Sequence, residues 1–275
     1  MQTLTITSYM GGADSPGVTL AHTLMNHTAV IKSVGNHVTV MNNLEENNLA
    51  KGVPYILGEM NSLYHQGKPG LSNSFGAALW GVDFNLYCAS QNIRRTHMHQ
   101  GTDYRYASWQ PIETNKTSMG TKAPYYGNAM VAAMLNGGKG EHNSNVQVVN
   151  LPMTQETDAA YATYVNGKLA RIAVINMQEY NYTGTDAASA SRPSATYLFH
   201  LSETPSKSLS VQRLLASGTD AITGITWDGW SYNYELKGGS PVRLSNVTIG
   251  QTVQVNSQGL VELDLPYSSA AIINL

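Results

Sequence analysis

The sequence predicts two architectures in succession: α/β, as the C-terminal strands of a (β/α)8 barrel, then an all-β antiparallel sandwich. Three observations carry this. Residues 1–138 alternate short apolar strands with runs of helical apolar spacing, an order that implies parallel strands joined by right-handed crossovers. After Gly137-Gly138 the texture changes to short alternating runs separated by Gly, Asn, Ser and Pro. The first part offers only three strands, too few for a sheet covered on both faces, so further barrel strands are expected elsewhere. The boundaries follow as 1–138 for the partial barrel and 139–275 for the sandwich.

Each element has its own signal. Leu4 to Tyr9 reads as a short buried strand closed by Gly11-Gly12. From Leu20 to Lys51 apolar residues recur at helical spacing, with a break expected near Gly35-Asn36 and Gly52 as the stop. Val53 to Leu57 is a compact apolar strand that presents Gly58-Glu59 at its C-terminal end, and Asn61 to Asn73 reads as a polar loop. Phe75 to Ser90 is a strongly apolar helix, Arg94 to His99 a strand, and Gln100 to Pro111 a loop. Pro124 suits the first turn of a helix running to Leu135. The sandwich strands include Tyr161–Val165, Arg171–Ile175, Thr196–His200, Val211–Leu215, Gln251–Val255 and Ala270–Ile273, with a flexible loop expected at Ala187–Ser194.

Composition narrows the function. The 275 residues are 42% hydrophobic, a globular value, but only 12% are charged. Neutral polar groups and Tyr cover the surface instead, as is common in extracellular and carbohydrate-handling proteins. A net charge of −2 gives no field for nucleic acid or an anionic membrane. No apolar run approaches the roughly 20 residues that span a bilayer. Cys88 is the only cysteine and sits in an apolar helical pattern, which points to a buried inert thiol. Met1-Gln2-Thr3 opens no signal peptide, while sequons stand at Asn26, Asn115, Asn181 and Asn246. Both fit a chain that belongs to a longer secreted protein.

Strand ends locate the chemistry. In a (β/α)8 barrel the C-terminal ends of the strands line the active site. Glu59 stands at one such end, with Asn61, Ser62, Tyr64, His65 and Gln66 after it. His99-Gln100-Gly101 through Tyr104-Arg105-Tyr106 follows the next strand. A carboxylate, phenols, amides and imidazoles thus converge, which suits sugar recognition. A capped or ion-paired structural Glu is the competing reading. His97 and His99 share a side of their strand, but no third ligand has metal-site spacing, so no metal and no cofactor are expected.

These residues resemble family 79 glycoside hydrolases, chiefly the β-glucuronidases and more distantly the heparanases. The resemblance rests on Tyr55–Ser62, on Pro69–Trp80, and on His99-Gln100-Gly101 with Tyr104-Arg105-Tyr106. It runs from Leu20 to Leu135 and continues more loosely through the sandwich. It implies that Glu59 is the nucleophile of a retaining hydrolase acting on β-linked glucuronic acid. It implies that Tyr64, Gln100, Gly101, Tyr104 and Tyr106 lie where substrate is held, Tyr106 foremost, and that Tyr9 stands beside the nucleophile. Some members carry a Gly-rich form of the Tyr64 loop, and here His65-Gln66 replaces it. The family's acid/base is an Asn-Glu on an earlier strand. No Asn-Glu occurs here, since Glu45-Glu46-Asn47 has the reverse order and reads as a solvated helix face. The chain is therefore expected to be catalytically incomplete. The alternative is a non-catalytic carbohydrate-binding or interaction module, with Trp227, Trp230, Tyr232 and Tyr234 stacking on sugars. Packing within the sandwich is the plainer reading of those four.

Overall fold

The computed structural model describes residues 3–138, 145–183, 191–201 and 207–275. Its first part is a parallel sheet of β1 (Leu4–Gly12), β2 (Tyr55–Tyr64) and β3 (Arg95–Met98) in that spatial order. A short π-helical turn (Leu20–Leu24) and α1 (His27–Glu46) connect β1 to β2, and α2 (Phe75–Ser90) connects β2 to β3. A small ribbon of β4 (Trp109–Gln110) and β5 (Gly120–Thr121) precedes α3 (Ala123–Met134).

Four local expectations needed correction, the first being the helix end: α1 stops at Glu46 with Asn47 as its C-cap, short of Lys51 and Gly52. The helix does not break at Gly35-Asn36, because α1 runs through it. The break falls at Asn26, whose side chain accepts from the Ala29 N–H and starts α1. Strand β1 was expected to be buried, yet Thr5, Ile6 and Thr7 are exposed, because β2 pairs with one edge and no described strand pairs with the other. Strand β2 does not end at Glu59: it continues to Tyr64, so the polar loop starts later. The register steps from Ile6↔Leu57 to Thr7↔Glu59, which leaves Gly58 as a bulge. A bulge turns the residue after it and sharpens the local twist.

Beyond residue 145, β6 (Val146–Leu151), β7 (Asp158–Val165), β8 (Lys168–Asn176), β9 (Ser194–His200) and β10 (Ser208–Leu215) begin the antiparallel part. The chain continues through β11 (Thr226–Trp227), β12 (Trp230–Ser231), α4 (Tyr234–Lys237) and β13 (Val242–Arg243). It finishes with β14 (Gln251–Gln254), β15 (Leu260–Pro266) and β16 (Ser269–Asn274). A nine-stranded sheet runs β13-β12-β11-β10-β16-β8-β7-β6, with β14 also on β10, and β9 pairs with β15 in the second sheet. Of the expected flexible loop at Ala187–Ser194, residues 187–190 lie outside the described residues. Arg192 ties the rest down, donating to the carbonyls of Tyr267, Ala216 and Ser268.

The large sheet is apolar on both faces. Ile172, Val174, Ala271 and Ile273 pack toward the second sheet with Tyr197, Leu263 and Leu265. Their neighbours Ala173, Ile175, Ala270 and Ile272 turn the other way, into a core with α2, α3 and β2. Helix α2 fills the space between the parallel sheet and the large antiparallel sheet, which is why 13 of its 16 residues are buried and no polar stripe is visible in it. A Cβ on Gly127 would stand 2.5 Å from the Ala78 carbonyl oxygen, so α3 meets α2 backbone to backbone. Gly127→Ala should cost about 1–3 kcal/mol by overpacking, read as a lower urea midpoint.

One buried polar group crosses this core. Asp83 of α2 is fully buried; its Oδ1 lies 2.9 Å from His27 Nδ1 of α1, and Tyr161 of β7 donates to the same carboxylate. Burial alone would lower the His27 pKa, but the hydrogen bond and charge of Asp83 outweigh it and raise it above 6.5. Folding therefore favours protonated His27. That stabilisation is complete below pH 6.5 and is lost as pH rises through the raised folded value. Urea midpoints of the native chain should fall as pH rises above that point, and the fall should shrink in His27→Gln.

Candidate active site

The bulge at Gly58 brings Glu59 to the open face of the parallel sheet, where its side chain is 49% exposed. Tyr9 of β1 donates its hydroxyl proton to Glu59 Oε1 at 2.8 Å. The same carboxylate oxygen lies 3.7 Å from His99 Nδ1. That nitrogen also meets Tyr9 Oη at 3.3 Å and Tyr106 Oη at 3.1 Å. Burial first, then the Glu59 hydrogen bond, holds the Tyr9 phenol above its ordinary range, so Tyr9 remains a donor. Burial likewise raises Tyr106.

Aromatic rings frame this centre. Tyr64 meets Tyr9 edge-on at 6.3 Å and is exposed. Tyr104 stands edge-on to both His99 at 5.5 Å and Tyr106 at 5.6 Å. Gly101 is where Tyr104 folds back: a Cβ there would fall 2.2 Å from the Tyr104 ring. Tyr106 is only 2% exposed, so its ring is part of the wall and only its hydroxyl faces the cluster. Gln100 differs from the expected ligand contact. Its amide nitrogen donates to the His99 carbonyl at 3.1 Å and its oxygen accepts from the Ser108 N–H at 2.7 Å, so it builds the loop.

The Tyr64 loop has an unusual backbone although two of its residues, His65 and Gln66, are not glycines. His65, Gln66 and Gly67 all have positive φ, of 63°, 68° and 74°. The first two cost roughly 1–2 kcal/mol each in this region. They are held by the Gln66 carbonyl, which accepts from the Arg105 N–H at 2.8 Å, and by Lys116 Nζ on Gln66 Oε1 at 3.0 Å.

Two residues matter more than their sequence signals indicated. Asn61 is 1% exposed, and its amide donates to the His99 carbonyl at 2.9 Å, stitching β2 to the next loop. His99 stood in the sequence as half of a possible metal pair and as part of the His99-Gln100-Gly101 motif, and in the structure its Nδ1 meets three site oxygens instead. His97 is exposed. Among the described residues no group of three or more His, Cys, Asp or Glu is placed to hold a metal ion. Cys88 is buried, and burial raises its pKa far above the usual thiol range.

Glu45 is no second carboxylate for this site. It lies beside Leu4, Tyr55 and Arg94, the N-terminal ends of the three strands, at the opposite end of the sheet from Glu59. The tryptophan and tyrosine cluster is used in packing. Trp227 is buried and pairs with Trp230, which Arg243 covers, while Tyr232 packs on Tyr125 and Tyr234 on Trp109.

Residues 160–272 match the glycosyl hydrolase family 79 C-terminal beta domain. A β-glucuronidase of Aspergillus niger is 63% identical over 274 residues, which cover 98% of this chain and 50% of that protein. Residues 160–272 are thus a glycoside hydrolase family 79 C-terminal beta domain. A β-glucuronidase of Neurospora crassa is 51% identical over 262 residues, covering 88% of this chain and 47% of the relative. The chain thus spans about half the length of the curated relatives it matches. Its fold is also that of a 4-O-α-L-rhamnosyl-β-D-glucuronidase from Fusarium oxysporum. The TM-score there is 0.77 at 22% identity, over 99% of this chain and 53% of that one. An α-L-arabinofuranosidase from Thermotoga maritima follows at TM-score 0.60 and 13% identity, over 98% and 52%. The solved neighbours named here are glycoside hydrolases.

Proposed function

We propose that this chain supplies the nucleophile side of a retaining glycosidase that acts on β-linked glucuronic acid. The observation that carries it is a solvent-facing Glu59, oriented by Tyr9 at 2.8 Å and flanked by His99 at 3.7 Å. In this reading β1, β2 and β3 are the last strands of a (β/α)8 barrel, residues 139–275 form its sandwich domain, and further strands bring the acid/base. Retention needs the two carboxyl groups about 5–5.5 Å apart. Glu59 attacks the anomeric carbon, its partner protonates the leaving oxygen, and water then releases the sugar. Tyr64, Tyr104 and the Tyr106 hydroxyl bind the sugar's oxygens, its carboxylate included. The β-glucuronidase relatives at 63% and 51% identity support this substrate class.

The test is covalent. The intact polypeptide that carries this chain is incubated with 2-deoxy-2-fluoro-β-glucuronyl fluoride, and its peptides are weighed. One fluoroglucuronyl group on the Glu59 peptide is the expected result, and labelling elsewhere would refute the assignment.

We also propose a secreted setting, which the exposed sequons allow. Asn115, Asn181 and Asn246 are exposed, whereas Asn26 is 7% exposed and spends its oxygen capping α1. Mass spectrometry of the protein from a secreting host should find glycans among the first three and none on Asn26.

A further inference from the structure

We propose that His99 is a positioning residue whose Nδ1–H fixes the direction of two phenolic protons, sending the Tyr9 proton to Glu59 and freeing the Tyr106 proton for substrate. The inference rests on the glycosidase reading above and adds the part played by the imidazole.

The argument is a count of protons. A tyrosine hydroxyl has one proton to give. Tyr9 gives its proton to Glu59 Oε1 at 2.8 Å, the shortest contact in the cluster. The 3.3 Å approach of Tyr9 Oη to His99 Nδ1 is then a hydrogen bond only if the nitrogen carries the proton. With a bare Nδ1, two lone pairs would face each other, or Tyr9 would turn to His99 and leave the carboxylate. Glu59 Oε1 itself lies 3.7 Å from Nδ1, and a protonated nitrogen presents its positive end to that oxygen.

The same proton decides Tyr106. Its hydroxyl lies 3.1 Å from Nδ1 and accepts from the N–H that Tyr9 shares. The Tyr106 proton is then not spent on His99. The residue is 2% exposed and cannot turn away, so that proton is left for Tyr9 Oη or for a substrate oxygen. Were Nδ1 bare, Tyr106 would donate to it and offer substrate only a lone pair, which repels a carboxylate. His99 is itself held in place: its carbonyl accepts from Asn61 and Gln100, and its N–H donates to the Met60 carbonyl at 2.8 Å.

Packing alone could also explain an imidazole between Tyr104 and Tyr106, so the test separates nitrogen from ring. Asn places an amide N–H close to where Nδ1–H stands, Gln places one near Nε2, and Phe keeps the ring without a donor. The readout is the rate of covalent labelling of Glu59 by 2-deoxy-2-fluoro-β-glucuronyl fluoride in the intact polypeptide. In that step a Glu59 oxygen bonds to the anomeric carbon and fluoride leaves with the electron pair, so no acid is needed. His99→Phe should slow labelling about 10- to 100-fold, the worth of a hydrogen bond to a charged group. His99→Asn should return it close to the native rate, and His99→Gln should not. Side-chain nitrogen NMR of the native protein should show His99 with Nδ1 protonated and Nε2 bare. An Nε2–H tautomer, or an Asn variant as slow as Phe, would overturn the proposal. An Nδ1–H tautomer in a native protein that takes no label would sink the glycosidase reading and leave the proton assignment standing.

Discussion

Glu59→Gln is expected to cut hydrolysis of an aryl β-glucuronide by roughly 10⁴-fold or more in the intact polypeptide, with no loss of fold. An amide cannot form the glycosyl ester, so the covalent path closes whatever else the site binds. The Gln oxygen can still accept from Tyr9, and the replaced side chain is 49% exposed, so the local hydrogen bond survives. Surface changes of this kind stay within about 0.5 kcal/mol. The measurement is turnover beside a urea curve. Unchanged turnover would remove Glu59 from the reaction, and lost turnover with a shifted curve would mean that folding had been damaged instead.

Asp83→Ala should be the most damaging change for stability, about 3–5 kcal/mol, because it breaks the buried His27–Asp83 pair by removing one partner. Three elements depend on this carboxylate: His27 brings α1, Asp83 brings α2, and Tyr161 brings β7 of the large sheet. Asn150 of β6 completes the group with its amide 3.3 Å from His27 Nε2. With alanine there, the Tyr161 hydroxyl keeps only the Asp83 main-chain carbonyl, and the buried His27 Nδ1 loses its partner. The test is urea unfolding of Asp83→Ala, His27→Gln and the pair. Coupling of about 0.5–3 kcal/mol is expected for groups that act together, and simple additivity would refute the clamp.

What the sequence disclosed follows from how local each signal is. Helix α2 was legible to the residue, Phe75–Ser90, because a largely apolar run between Ser74 and Gln91, interrupted only by Asp83 and Asn85, has few other outcomes. The Gly58-Glu59 pair marked the site because an apolar strand rarely carries a carboxylate. The exposed face of β1 was not legible, since four apolar or β-branched residues look the same whether a neighbour covers them or not. Gly35-Asn36 misled because neither residue favours a helix, yet α1 needs only His27, Val30 and Val34 on its buried side. The bond between Asn61 and His99 stayed hidden for another reason. Their roles depend on a contact across 38 residues, and no spacing within one strand announces a bond to the next.

The two-faced β-sheet also bears on how this family can vary and recombine. Strands β8 and β16 have no water side, so a scan of substitutions should find every position from Ile172 to Ile175 and from Ala270 to Ile273 intolerant of charge. Strand β15, exposed at Glu262 and Asp264, should instead show tolerance at every second residue. A polypeptide cut away near residue 145 would bare Ala159, Tyr161, Ile175 and Ile272 to water. The β part is therefore inherited together with the helices that cover it, and gene fusions that move it alone should yield insoluble protein.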